Sequence, residues 1–439
     1  MPNIKLKDEK GIEQIYENVE YITAPLADGN GSYKFGQTNN SIEITKNGIY
    51  TAPEGSGYSP ITVNVDNYED MMAKMIEKID DVEIYNDKAK RVGAYAYYTY
   101  MDSSLIPDNT SNLISLDLPN ATTIGYKAFN GCYKLKTVNI PKVVKIDENA
   151  FYGTKELTTI NCPSVMEIGS EAFKYSNITS IDLPNMTELN NSRNTFLYSA
   201  LKSITAPNLV EIKGCDMTFN HTSLESIYFP KLQSIESSYS DVAGYIFADN
   251  TDLISLNLPE LLNINEYYGA TFAGCTNLKY VNMPKLTSID GYSFRSLFKG
   301  CSSLEIINLP SWSSWVRGRS SLGDFFENCT NLKYAIFKKL NMTTYPYAVF
   351  KNCPNLILLD CYSCSPYFDT TNTNLSTLVL RSTTLCSLSS IDDISMTQIA
   401  AGNGYVYVQD DLVEKYKSAT NWSTYADQIK PLSEYIEEV

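Results

Sequence analysis

Histidine is nearly absent from this chain. His221 is the only one in 439 residues. Without a second imidazole there is little room for Ser-His-Asp or Cys-His nucleophilic machinery, or for a histidine-built zinc centre. His221 itself stands in the polar turn FNHTSLES, where it reads as a surface residue. The phosphate-cradling G-x-x-x-x-G-K-[ST] loop, the dinucleotide G-x-G-x-x-G turn and the G-x-S-x-G elbow are missing too. The paired acids Asp80/Asp81 and Asp392/Asp393 lie in turn-like contexts. No pair stands out as the two facing carboxylates a glycosidase needs. The expectation is a protein that is not an enzyme and carries no cofactor or metal.

Basic residues are outnumbered, 35 against 50 acids, for a net charge of −15. Phosphate backbones and anionic membranes both call for clustered Lys and Arg, so neither nucleic acid nor a membrane surface is an expected partner. No apolar run approaches the ~20 residues of a membrane-spanning helix, so no membrane insertion is expected. The opening MPNIKLKDEKGIEQIY lacks the apolar segment of a secretion signal. The ten cysteines do not read as a disulfide framework. Cys132, Cys275, Cys301, Cys329 and Cys353 recur at one place in a repeat, as small core residues do. Cys361 and Cys364 form a C-x-x-C pair, but their spacing to Cys353 and Cys386 is irregular for a zinc site.

What the chain has in abundance is repetition. Twelve segments between Asn112 and Arg381 share one phrase, beginning NLISLDLP, KLKTVNIP, ELTTINCP and NITSIDLP. The spacing starts at 22 residues and later ranges from 19 to 29. A period of this length predicts a solenoid. In the first copy Leu116 and Leu118 alternate as a half-buried strand does, and Pro119 ends it, having no N–H for a ladder. A second half follows: Ile124, Ala128, Phe129, Gly131 and Cys132, then Ile146, Ala150, Phe151 and Gly153. Alanine permits close backbone approach, phenylalanine fills the wedge between coils, and glycine makes the return turn. One coil cannot bury both of its flat faces, so stability must come from neighbour contacts.

The strand L-x-S-I-x-L-P alternating with I-G-x-x-A-F-x-G-C resembles the BspA-type bacterial leucine-rich repeat, from about Arg91 to Arg381. The resemblance implies a parallel sheet on the concave face of a solenoid and a role in binding or adhesion. The ending YVYVQDDLVEKYKSATNWSTYADQIKPLSEY is similar to a terminal cap found on such arrays in gut Firmicutes and their phages. IKLKDEKGIEQIYENVEYI and KNGIYTAPEGSGYSPITVNV are similar to modules of phage tail-associated proteins. These likenesses imply an extracellular or virion-associated protein.

The expected organisation is an N-terminal β-module over 1–66, a capping helix and linker over 67–90, the solenoid over 91–408 and a helical cap over 409–439. Asn47-Gly48 marks a hairpin. Met71, Met75, Ile76 and Ile79 share one face of a short helix. At the other end, Asp410 or Asp411 is expected to cap a helix carrying Leu412, Val413 and Tyr416, and Trp422, Tyr425 and Ile429 to form a second helix.

Outward strand positions form two columns. The early copies are small and polar (Ser115, Thr137, Thr159; Asp117, Asn139, Asn161). The late ones turn apolar at Tyr280, Ile306, Tyr334, Ile336, Leu358 and Val379. Such a face needs a partner. That partner is either a protein or glycan on a host or bacterial surface, anchored by Tyr280 and Tyr334, or the chain itself, through its C-terminal helices or the insertion 311–326. Trp312, Trp315, Arg317 and Arg319 are a second candidate, the one aromatic-basic cluster in an acidic chain. A spacer or tail component with no ligand is the alternative function.

Overall fold

The computed structural model describes residues 113–237, 244–266, 269–290, 296–315, 324–342, 349–364, 374–388 and 396–437, with eight short strands before residue 113. The chain forms two compact units, Met1–Pro207 and Asn208–Val439. Each contains a run of parallel β-solenoid, with five of the repeat strands in the first and seven in the second, about twelve turns in all.

In the first unit Leu113–Asp117, Thr137–Asn139 and Thr159–Asn161 pair in parallel, with Leu116, Val138 and Ile160 in register. All three are buried and the flanking positions are more exposed. The outward Asx column is itself bonded: the Asn139 Nδ2 donates to Asp117 (2.7 Å) and the Asn161 Nδ2 to Asn139 (2.7 Å). A second stack, Thr123–Ile124, Lys145–Ile146 and Glu167–Ile168, aligns three buried isoleucines. Proline cuts each strand short by the turn that follows it. The N–H of Ala121, Val143, Val165 and Met186 bonds the carbonyl three residues back.

The ladder's first edge is not left open. Asp81–Tyr85 pairs with Leu113–Asp117 in parallel, and Ile4–Lys7 joins it antiparallel, followed by Glu13–Tyr16. A hairpin therefore ends this sheet. The expected capping helix around Met71 to Ile79 lies outside the described residues. A separate antiparallel sheet runs Tyr33–Gln37, Asn40–Thr45, Gly48–Ala52, Ser59–Ile61, with Thr45 opposite Gly48, where the Asn47-Gly48 signal predicts a hairpin.

Phenylalanine fills the wedge between coils as a stack. In the first unit Phe129, Phe151, Phe173 and Phe196 follow at 5.3, 5.4 and 5.4 Å. In the second, Phe219, Phe247, Phe272, Phe298, Phe326 and Phe350 follow at 5.0 to 5.7 Å. All are essentially inaccessible. Beside this stack the thiols of Cys275, Cys301, Cys329 and Cys353 donate to the carbonyl of the phenylalanine one coil back, at 3.0 to 3.3 Å. Among the described residues nine cysteines are buried as thiols. Burial pushes the thiols of Cys275 and Cys353 up to about 12, so they stay protonated and unreactive.

The turns after each phenylalanine pass through left-handed backbone. One such position holds Gly131, Gly153, Gly274 and Gly300 (φ 69° to 76°). The same position holds Tyr175, Tyr198, His221, Asp249, Asn328 and Asn352 (φ 50° to 64°).

The last sheet runs Ile306–Asn308, Tyr334–Met342, Leu358–Cys364, Thr377–Leu380, Tyr405–Val408, Ile429–Pro431. Between the last two strands lie a 3-10 turn (Asp410–Leu412), a short helix (Val413–Ser418) and a 3-10 segment (Trp422–Gln428). Leu412, Tyr416, Trp422 and Tyr425 are buried there. Ile429 begins a strand rather than ending a helix, because it pairs in register with Val406. No side chain caps the helix. Asp410 instead accepts from the Ser433 N–H at 3.0 Å. Pro431 falls on the edge strand, where its missing N–H costs no ladder bond.

Candidate binding surface

The apolar strand face lies within the second unit, and the structure divides its six residues. Tyr280 is 66% exposed and Ile306 36%. Tyr334 is half-buried. Ile336, Leu358 and Val379 are buried, at 4%, 6% and 0%. Their register explains the grouping: Ile306, Tyr334, Leu358, Thr377 and Tyr405 align in one column, and Ile336, Asp360, Val379 and Tyr407 in the next.

The chain's own tail runs along the buried part. After the last strand, Tyr435 lies 5.1 Å from the ring of Tyr407. The Glu437 carboxylate accepts from Lys338 (2.8 Å) and from Arg381 (3.0 Å). Lys338 follows Ile336 on the same side of its strand, and Arg381 follows Val379. The tail thus returns across this face from the last strand toward Tyr334–Met342. Beneath it Arg381 grips Asp360 through two bonds, 2.6 and 2.7 Å, and Asp360 is 1% exposed. Arg381 also draws the Glu437 carboxyl below the usual carboxylate range, after the larger pull of Lys338. Internal cover of this face was expected from the C-terminal helices or the insertion 311–326; the segment seen along it is the tail after the last strand. Ile336, Leu358 and Val379 therefore do not form an exposed anchor.

The Trp312 cluster is also corrected. Trp312 is 1% exposed and packs on Phe325 (5.5 Å) and edge-on against Phe337 (5.3 Å). Its N–H bonds the Leu309 carbonyl, the turn that follows every repeat proline. It occupies the core position of Leu232, Leu261 and Leu286. Trp315 aligns in register with Ile289, in the column of Ile235 and Ile264. Arg317 and Arg319 lie outside the described residues.

What remains open to solvent is a patch around Tyr280 and Ile306 bordered by amides. The Asn282 Nδ2 donates to Asn257 at 2.6 Å, which stiffens that border. Tyr228 is 56% exposed, and Tyr405, at 43%, carries the Lys430 ammonium 5.7 Å from its ring centre. None of these groups forms a nucleophile–base pair. His221 sits 3.4 Å from Asp249, both well exposed. No cluster of three or more metal-ligating side chains occurs among the described residues. No helix there is long and apolar enough to cross a membrane.

One buried acid was not anticipated from the sequence. Glu266 is fully enclosed and burial, with Asp216 nearby, raises its carboxyl to about 8. The backbone N–H groups of Ala270 and Thr271 offset part of the rise, although neither oxygen reaches a partner at full hydrogen-bond geometry. With no access to solvent, the group is a core acid held neutral rather than a catalyst.

The model of the BspA type leucine rich repeat region matches this sequence in six copies, over residues 122–240, 192–312 and 295–396. The chain belongs to the BspA-type leucine-rich repeat family. Members of this family are binding or adhesion scaffolds, and many are surface-exposed. Among solved structures, the BspA-type chain is similar to a leucine-rich repeat protein from Bacteroides ovatus: 22% identity, 80% of this chain and 95% of the other, TM-score 0.40. It is also similar to a leucine rich cell surface protein from Faecalibacterium prausnitzii: 16% identity, 83% and 91% covered, TM-score 0.36. No curated protein matches it.

Proposed function

We propose that this BspA-type protein is a non-enzymatic adhesion scaffold that recognises a protein or glycan on a host or bacterial cell surface through the open part of its strand face. The observation that carries the reading is Tyr280. It is a tyrosine 66% exposed, on a rigid strand, next to Ile306 and half-buried Tyr334, where the sheet needs no aromatic side chain for its core. Tyrosine contributes a large apolar area and a polar tip with few rotatable bonds, which suits a binding anchor. The covered half of the face gives the site a boundary at Leu358. The family match supports an extracellular setting. The virion placement rests on the likeness of residues 4–22 and 46–65 to tail-associated modules.

The test is adhesion of the full chain to intact bacterial and epithelial cells. The variant Tyr280→Ser/Ile306→Ser changes two outward-facing side chains, 66% and 36% exposed, and leaves the inward leucines in place. It is expected to lose most adhesion while melting at the wild-type temperature. Undiminished adhesion by this folded variant would exclude the strand face as the contact.

A further inference from the structure

The first unit carries a tyrosine ladder on its turn edge, away from the strand columns. Tyr152 and Tyr175 meet edge-to-face at 5.6 Å, and Tyr175 and Tyr198 stack at 5.5 Å with planes 3° apart. Lysine stems interleave. The Lys174 ammonium stands 6.0 Å from the Tyr152 ring and 5.6 Å from Tyr175, and Lys155 stands 5.2 Å from Tyr133. Glu171 holds Lys174 at 2.8 Å. Tyr175 is 42% exposed and Tyr198 49%.

The backbone beneath two of these rings is what makes the ladder informative. Tyr175 and Tyr198 have φ of 58° and 57°. At the same repeat position the other coils place Gly, Asn, Asp or His, the residues that accept left-handed backbone best. The companion left-handed position four residues earlier does take Lys127, Glu171 and Met217, but these are slender, unbranched chains. A ring there is disfavoured, and the fold does not require it, since Gly131 and Gly153 make the same turn. Strain of this kind, kept where glycine would serve, points to a function for the side chain.

We propose that Tyr152, Tyr175 and Tyr198, with Lys174 beside them and Lys155 on the neighbouring Tyr133, bind an extended β-linked polysaccharide running along the repeat axis. The spacing selects this class. Rings recur once per coil, at 5.5 to 5.6 Å, comparable with the advance per sugar of an extended β-linked glycan. An extended peptide advances only about 3.3–3.6 Å per residue, so its side chains fall out of step with the rings. Stacking leaves the positive ring rims and the phenol groups to meet sugar hydroxyl oxygens, and the lysine ammonium groups add donors for the same oxygens. This surface is independent of Tyr280, so either can fail without the other.

The test titrates the full chain with chitohexaose and cellohexaose, with gelatin as the polypeptide probe. Wild type is expected to bind at least one hexasaccharide. The variant Tyr175→Gly/Tyr198→Gly is expected to bind it about tenfold more weakly or worse, while melting at or above the wild-type temperature because the turn is relieved. Tyr175→Asn/Tyr198→Asn, copying Asn328 and Asn352, is expected to behave alike. Failure of wild type to bind either sugar, or undiminished binding by both variants, overturns the proposal. Saturation by gelatin alone would assign the ladder to a polypeptide and overturn it equally. Loss of binding together with a lower melting temperature in both variants would make the rings structural and refute the functional reading.

Discussion

At the residue scale, two enclosed acids behave in opposite ways. Asp360 is enclosed and gripped twice by Arg381. Removing the arginine leaves a buried carboxylate unpaired, so Arg381→Met should lower stability by roughly 3–5 kcal/mol, measured by urea unfolding. Replacing both residues by apolar ones of similar size should recover much of the loss. Glu266 meets no cation among the described residues. Its carboxyl is raised from 4.5 to about 8 by burial, so the folded state holds a proton that the unfolded chain releases. Stability from this group is complete below about pH 4.5 and falls as pH climbs to about 8, by about 1.4 kcal/mol per pH unit. Glu266→Gln should remove that slope, so its advantage over wild type in melting temperature should widen between pH 5 and pH 8. A constant difference would show that Glu266 does not titrate in this window.

At this scale the sequence was readable wherever register could be counted. Trp312 stands three residues after Leu309 and two after Pro310, as Leu286 stands to Met283 and Pro284; that count alone marks it as core. The tyrosines were readable in the same way, since Tyr175 and Tyr198 fall on the positions of Gly131 and Gly153. Glu266 gave no signal. Its enclosure depends on how Ala270, Thr271 and Asp216 close around it, and no periodicity encodes that.

At the scale of elements, the coil repeats because each phenylalanine is the floor for the next. Phe272 touches rings on both sides, Phe247 at 5.6 Å and Phe298 at 5.5 Å. Phe272→Ala should cost about 3–5 kcal/mol, more than Ile→Val changes in the short second stack, at about 0.5–1.5 kcal/mol. Chemical denaturation of both variants checks the order. The strands were legible from alternation and the terminal proline. The hairpin that closes the first edge was only partly legible, because its pairing with Asp81–Tyr85 spans 74 to 80 residues of sequence and nothing local marks the partner.

At the scale of the whole molecule, the same outward strand face meets two fates. Where Tyr435 and Glu437 return over it, Val379 and Leu358 are core. Where the tail does not reach, Tyr280 and Ile306 face solvent. A chain ending at Pro431 should therefore expose the covered half. It should bind a hydrophobic dye and lose roughly 2–4 kcal/mol of stability in the second unit. The sequence showed that this face needed a cover. It could not show which segment provides it, because Glu437 meets Lys338 across 99 positions.

Side-chain footprinting of the intact chain, free and bound to whole cells, tests the division of the face and its use together. Free protein should be labelled strongly at Tyr280 and Ile306 and barely at Leu358 and Val379, and cell-bound protein should lose its label at Tyr280 and Ile306. Strong labelling of Val379 in free protein, or a Tyr280 label indifferent to cells, would contradict the account.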